Sequence, residues 1–207
     1  MRDGVERRAG AYLPHWRRDG GVYAVTFRLG DSLPRAALLR ISQLRAELEG
    51  VRTRDPGMRV AIEAWKVFHQ RQDEYLNAGH GACYFRDPEF AGLMQNTLLH
   101  FDGVRYDVWA WVVMPNHVHV VVKPRPGFEL SKIVQSWKGF SAHTINRRLS
   151  RSGSVWAVEY YDHLIRGPED LTHQVGYIAE NPRVAGLTDW RWMGERLPWN
   201  SESRTGA

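Results

Sequence analysis

A chain of 207 residues with 43% apolar and 12% aromatic content is long enough to bury a core as one domain with additions, and this excludes a disordered chain. The single cysteine, Cys83, excludes internal disulfides and a CxxC-type zinc site, fits a reducing cytoplasm, and leaves His, carboxylate, amide or water to hold any metal. Lys and Arg outnumber Asp and Glu by 28 to 23, which points towards a polyanionic partner. The charged N-terminus and the lack of any apolar run near the ~20 residues that span a bilayer predict a soluble, cytoplasmic protein.

Residues 1–20 read as a loose basic arm, and "VYAVTFRL" (22–29) alternates as a first strand. Asp31, Ser32 and Pro34 open a helix whose Leu38, Ile41, Leu44 and Leu48 share a face before Gly50 stops it. "RTRDPGMR" is a loop, a second helix is expected over about 59–78, and a third over about 87–100 from Asp87-Pro88. "YDVWAWVVM" (106–114) is a strand, Pro115-Asn116 breaks it, and "HVHVVVK" (117–123) continues as strand until Pro124 and Pro126.

"ELSKIVQSWKGFSAHTINRRL" (129–149) predicts an amphipathic helix with Ile133, Trp137, Phe140 and Ile145 inward and its cations outward. After the link "RSGS", "VWAVEYYDHLI" (155–165) is expected as strand. Residues 168–181 are expected as a helix begun by Pro168 and ended by Pro182. This order suggests an α+β fold, an antiparallel sheet flanked by helices in the ferredoxin-like class. The boundaries expected are an arm at 1–20, a catalytic domain at 21–188 with a helical insertion at about 50–100, and a tail at 189–207.

Side chains alternate across a strand, so His117 and His119 point to one face about 6.6 Å apart along the chain, an arrangement able to hold a metal or simply to sit in a half-buried strand. Tyr177 and Asn181, at i and i+4, share a helical face. A tyrosine attacks a phosphodiester only if its oxyanion is stabilised and charge is withdrawn from the phosphate, which a divalent metal on a His pair can do. Asn181 offers a carbonyl oxygen to such an ion, and beside a proline it could equally cap its helix. An oxygen beside two imidazoles suits Mg or Mn.

Basic residues cluster at Arg7, Arg8, Arg17 and Arg18, at Arg147, Arg148 and Arg151, and at Arg191 and Arg196, several of them near tryptophans. Lys132 and Lys138 precede the middle cluster on one helix. Cations beside aromatic rings are how single strands are held, so Lys132, Lys138, Arg147, Arg148 and Arg151, with His163, are the candidate DNA contacts.

Three segments, "VVMPNHVH", "YYDHLIR" and "YIAENPRVAGL", together resemble the REP-associated tyrosine transposases, relatives of the single-tyrosine transposases with a His-hydrophobic-His (HUH) motif. The resemblance covers residues 106–187 strongly and the first strand weakly. It implies an HUH fold whose central strand carries His117 and His119 as metal ligands. It implies further that Tyr177 is the nucleophile and Asn181 a third ligand where related transposases place a glutamine, and that the substrate is single-stranded or hairpin DNA cut through a 5'-phosphotyrosine. Tyr160 and Tyr161 are the rival nucleophiles. The alternative function is a single-strand-binding module of the same sheet class without catalysis.

Overall fold

The computed structural model describes residues 6–9, 14–41, 43–44 and 71–197, with side chains described from residue 18 onward. Leu48, Gly50, the loop expected at "RTRDPGMR" and the first part of the helix expected at 59–78 lie outside these residues. So do the side chains of Arg7, Arg8 and Arg17.

Five strands form one antiparallel sheet: β3 (Tyr23–Arg28), β4 (Tyr106–Val113), β5 (His117–Pro124), β6 (Tyr161–Leu164) and β7 (Met193–Glu195), in the order β6-β3-β5-β4-β7. Helices cover both faces, as the α+β expectation requires. On one face α3 (Pro88–Leu99) and α4 (Leu130–Arg148) pack on Val118, Val120 and Val122, with Phe27, Trp111 and Trp156 filling the layer. On the other face α5 (Pro168–Val184) buries Leu171, Val175 and Ile178 against Ala24, Val112 and Val121. β5 is therefore covered on both sides, which is why its sequence runs on as unbroken valine instead of alternating with polar residues. Two further helical segments, α1 (35–41 and 43–44) and α2 (71–77), precede α3.

Several sequence expectations are corrected. Within residues 1–20, β1 (Glu6–Ala9) and β2 (Pro14–Arg17) pair as an antiparallel hairpin and not as a loose arm. In α1 the deeply buried side chain is Ala37, with Ile41 and Leu44 half-buried one and two turns on, while Leu38 is 38% exposed and falls off that face. In α4 the inward stripe runs Ile133, Val134, Trp137, Ser141, Ile145, spaced by three and four residues. Phe140 falls off that stripe and is 58% exposed. The strand expected over 155–165 is confined to Tyr161–Leu164, which pairs with β3 from Tyr23 to Thr26, while Trp156 makes only an isolated bridge to Leu29 and Ala157 N bonds the Arg28 carbonyl at 3.0 Å. Residues 193–195 of the expected tail pair with β4 as β7, and the Trp190 indole donates to the Val113 carbonyl at 2.8 Å.

Pro182 does not end α5, which continues to Val184. A proline removes one donor, from the bond its own N–H would make four residues back, and a last turn tolerates that loss. The helix is closed instead by Gly186, whose φ of +69° is the left-handed conformation open to glycine and whose N–H bonds the Arg183 carbonyl at 3.0 Å.

A β-bulge between Val108 and Ala110 shifts the phase of β4, so Tyr106 and Val108 before it and Trp111 and Val113 after it all face the α3/α4 layer. Trp137 anchors this layer: it is 2% exposed, and its indole donates to the Tyr106 hydroxyl at 2.8 Å. Trp137→Ala is expected to cost about 3–5 kcal/mol of stability through the cavity it leaves, with the stranded Tyr106 hydroxyl adding to the loss. A denaturant melt with a midpoint near wild type would contradict that packing.

Candidate active site

The turn between β4 and β5 is short and tied on several sides. The Met114 N–H bonds the His117 carbonyl at 2.8 Å, the Pro115 carbonyl accepts from Phe85 N at 3.1 Å, and the Asn116 carbonyl accepts from Leu29 N at 2.8 Å. The Asn116 side chain is fully buried, and its amide nitrogen donates to the carbonyls of Leu76 (3.2 Å), within α2, and His80 (3.0 Å), just after it. These two bonds fix which end of the amide is oxygen. That oxygen lies 2.7 Å from His117 Nδ1. An amide oxygen only accepts, so Nδ1 carries the proton and His117 Nε2 carries a lone pair.

His119 stands opposite Thr26 in β3, with Nδ1 2.8 Å from the Thr26 hydroxyl, and its Nε2 lies 3.5 Å from the Asn181 amide nitrogen. The two imidazoles meet nearly at right angles with ring centroids 4.7 Å apart. His117 Nε2 and Asn181 Oδ1 are both buried with no hydrogen-bond partner among the described residues. An unsatisfied buried polar atom costs roughly 1–3 kcal/mol, so two of them beside a third lone pair mark a place built for something to bind. With the Asn181 amide nitrogen facing it, His119 Nε2 is the acceptor, and the three atoms, two neutral nitrogens and one amide oxygen, are a donor set fitting a divalent cation. No cluster of three His, Cys, Asp or Glu able to hold a metal occurs among the described residues, so an ion at the two imidazoles would take any third protein ligand from the amide. Because α5 runs past Asn181 and Ala185 is its C-cap, this amide is not spent on capping.

Burial holds both imidazoles neutral: His117 is pushed well below its ordinary 6.5, by desolvation and then by its neighbour His119, and His119 is pushed down to about 3 by desolvation. The sign for stability follows. Below pH 6.5 the unfolded chain binds protons that the native pair refuses, so stability falls as pH drops from there towards the native values, by about 1.4 kcal/mol per pH unit for each histidine. Asp73, raised from 3.8 to about 7 chiefly by burial, works the other way over that interval and offsets one of the two. Denaturant unfolding of metal-stripped protein should therefore show lower stability at pH 5 than at pH 7, with little or no loss in His117→Gln, where Asp73 offsets the remaining histidine; a flat wild-type profile would contradict the neutral pair.

Tyr177, one helical turn before Asn181, lays its ring edge-on to His119 with centroids 5.4 Å apart. Its hydroxyl donates to the Asp73 carboxylate from α2, and burial, then the Asp73 charge, raise the phenol pKa. Of the rival tyrosines, Tyr161 sits across Thr26 on the same face of the sheet, its phenol driven well up by burial. Tyr160 packs against the core of the opposite face.

The remaining sequence candidates do not join this cluster. His163 lies 2.8 Å from Asp170 and ties β6 to the first turn of α5. Lys132, Lys138, Arg147 and Arg148 ride on α4, across the sheet from the histidines. The Lys138 ammonium donates to the carbonyls of Ala157 and Val158, both at 2.8 Å. Arg148 pairs with Glu89 at 3.2 Å, and Arg151 lies over the Tyr84 ring. Sequence reasoning did not single out Thr26, Asn116 or Asp73. A buried-strand context around "PN" was a signal for Asn116, whereas nothing local marks Asp73.

Residues 94–181, which include both histidines, Tyr177 and Asn181, match the family described as "Transposase IS200 like". Among curated proteins, the REP-associated tyrosine transposase of Escherichia coli (strain K12) is 28% identical over 90 residues, 41% of this chain and 52% of that protein. The resemblance to that group, read from the three motifs, is thus borne out, although the chain spans only about half the length of this curated relative. A solved structure of a REP-associated tyrosine transposase bound to a REP hairpin shares the fold at 17% identity, with a TM-score of 0.51 over 96% of this chain and 86% of that one. A putative transposase from Deinococcus radiodurans is more distant, at 14% identity and a TM-score of 0.36 over 85% of this chain and 97% of that one. Among the described residues, no helix is long and apolar enough to cross a membrane.

Proposed function

We propose that the chain is a metal-dependent single-strand DNA endonuclease and strand transferase that works through a 5'-phosphotyrosine intermediate on Tyr177. The observation that carries this reading is the convergence, beside the Tyr177 ring, of the lone pairs of His117, His119 and Asn181, two of them on atoms with no partner among the described residues. His117 Nε2, His119 Nε2 and the Asn181 amide oxygen would hold the ion, and rotation of the amide about its last bond exchanges its oxygen and nitrogen. A bound Mg or Mn would neutralise charge on the scissile phosphate and ease formation of the phenolate.

The chain's own residues do the rest. Asn116 and Thr26 hold the imidazole Nδ1 atoms, so the His117 Nε2 lone pair stays aimed into the site and the His119 ring keeps its orientation beside it. α5 carries Tyr177 and Asn181 as one rigid unit, so phenol and ligand keep their spacing during in-line attack. The Tyr177 oxygen bonds to phosphorus, the 3'-oxygen leaves, and the phosphotyrosine conserves the bond energy, so the reaction reverses onto another 3' end without ATP. Support for hairpin DNA as substrate comes from the solved relative bound to a REP hairpin. Lys132, Arg147, Arg148 and Arg151, on the far face of the sheet, are proposed to track phosphates away from the cut.

The test is incubation with labelled single-stranded hairpin oligonucleotides and Mn or Mg, followed by a denaturing gel. A DNA-linked protein band is expected, lost with chelator. Cut DNA without any linked protein would indicate attack by water, and binding without cutting would indicate the non-catalytic module; either would overturn the proposal.

A further inference from the structure

We infer that Asp73 is the catalytic base that takes the proton of the Tyr177 hydroxyl, a role that rests on reading Tyr177 as the nucleophile. The two residues lie 104 positions apart, on α2 and α5, yet the hydroxyl donates directly to the Asp73 carboxylate. Asp73 is 8% exposed, and a carboxylate so deeply buried is ordinarily paired with a cation. No ion pair to Asp73 occurs among the described residues; a phenol stands where the cation would be, so the partnership is built around one shared proton.

The placement is also rigid, and it is tied to the histidines. The stretch from α2 to the start of α3 supplies the Leu76 and His80 carbonyls that hold Asn116, and through it His117. It is pinned to the end of β3 where Asp31 accepts from Ala82 N at 2.8 Å. At Gly81, with φ +85°, an added Cβ would stand 2.6 Å from the Asp31 carbonyl oxygen, so only glycine allows the approach. The stretch from α2 to the start of α3 thus sets both the imidazole that binds and the carboxylate that touches the attacking oxygen.

The step balances as follows. The Tyr177 Oη–P bond forms while the P–O3' bond breaks, the hydroxyl proton passes to Asp73, and the departing 3'-oxygen takes a proton from water. In the reverse transfer the incoming 3'-hydroxyl gives its proton to water, and Asp73 returns its own to Oη as the P–Oη bond breaks.

The experiment measures single-turnover adduct formation on labelled single-stranded hairpin oligonucleotides with Mn. Asp73→Asn keeps the side chain's shape and should slow the adduct about 10²- to 10⁴-fold while thermal stability and DNA affinity stay near wild type. Placing a fluorinated, more acidic tyrosine at position 177 of that variant should recover most of the rate, because less proton removal is left to be done. An Asn variant as fast as wild type would overturn the inference. A slow one that the fluorinated tyrosine leaves equally slow would also overturn it, since the loss would then be one of positioning. Should Asp73→Asn melt early, Asp73→Ser is read by the same two comparisons. A wild-type protein that forms no adduct would instead refute the nucleophile reading itself, and this inference with it.

Discussion

Tyr177→Phe should abolish covalent attachment to DNA and strand cleavage, a loss on the order of 10⁴-fold or more, because it removes the one oxygen that attacks phosphorus and nothing else. The ring remains against His119, so packing and DNA affinity should stay near wild type. Loss of the hydroxyl leaves Asp73 buried without its donor, which that carboxyl tolerates by holding its own proton, since burial already raises it to about 7. Tyr160→Phe and Tyr161→Phe should both retain the adduct. Measured side by side on one hairpin oligonucleotide, equal adduct from Tyr177→Phe and wild type would remove Tyr177 from the mechanism.

His117→Ala and His119→Ala should each eliminate metal-dependent cleavage, again by several orders of magnitude, while leaving the affinity for DNA largely intact. Either loss reduces the set to one imidazole and one neutral amide oxygen, too little to hold a hard cation against water. Metal binding gives a readout independent of activity: calorimetric titration of Mn into wild type should show a site that both variants lack. Asn116→Ala should weaken the same site about 10- to 100-fold, because the Asn116 oxygen fixes the His117 tautomer. Undiminished Mn binding in both histidine variants would show that the ion sits elsewhere.

The parts of this site legible in sequence are those governed by local geometry. A period of two put His117 and His119 on one face of β5, and a period of 3.6 put Tyr177 and Asn181 on one face of α5. Neither depends on the rest of the fold. Asp73 was not legible, because its meaning comes only from packing α2 against α5, across 104 residues, and no pattern within α2 announces that contact. Phe140 and Ser141 show a related limit: hydrophobicity alone favours the phenylalanine as core, but the stripe set by Trp137 and Ile145 passes through position 141, where the serine hydroxyl bonds back to the Trp137 carbonyl at 2.7 Å. Pro182 misleads as a helix stop because the helix has only two residues left to run. The bulge in β4 and the late addition of β7 to its edge were hidden for the same tertiary reason, since both depend on how β4 meets its neighbours.

The central claim is a covalent bond between DNA and one side chain, and mass spectrometry of the trapped adduct tests it most directly. Wild-type protein incubated with a cleavable single-stranded hairpin and Mn, then digested with protease and nuclease, should yield a nucleotide joined through its 5' phosphate to the peptide containing Tyr177. A nucleotide found on Tyr160 or Tyr161, or cleaved DNA with no modified peptide at all, would contradict the account.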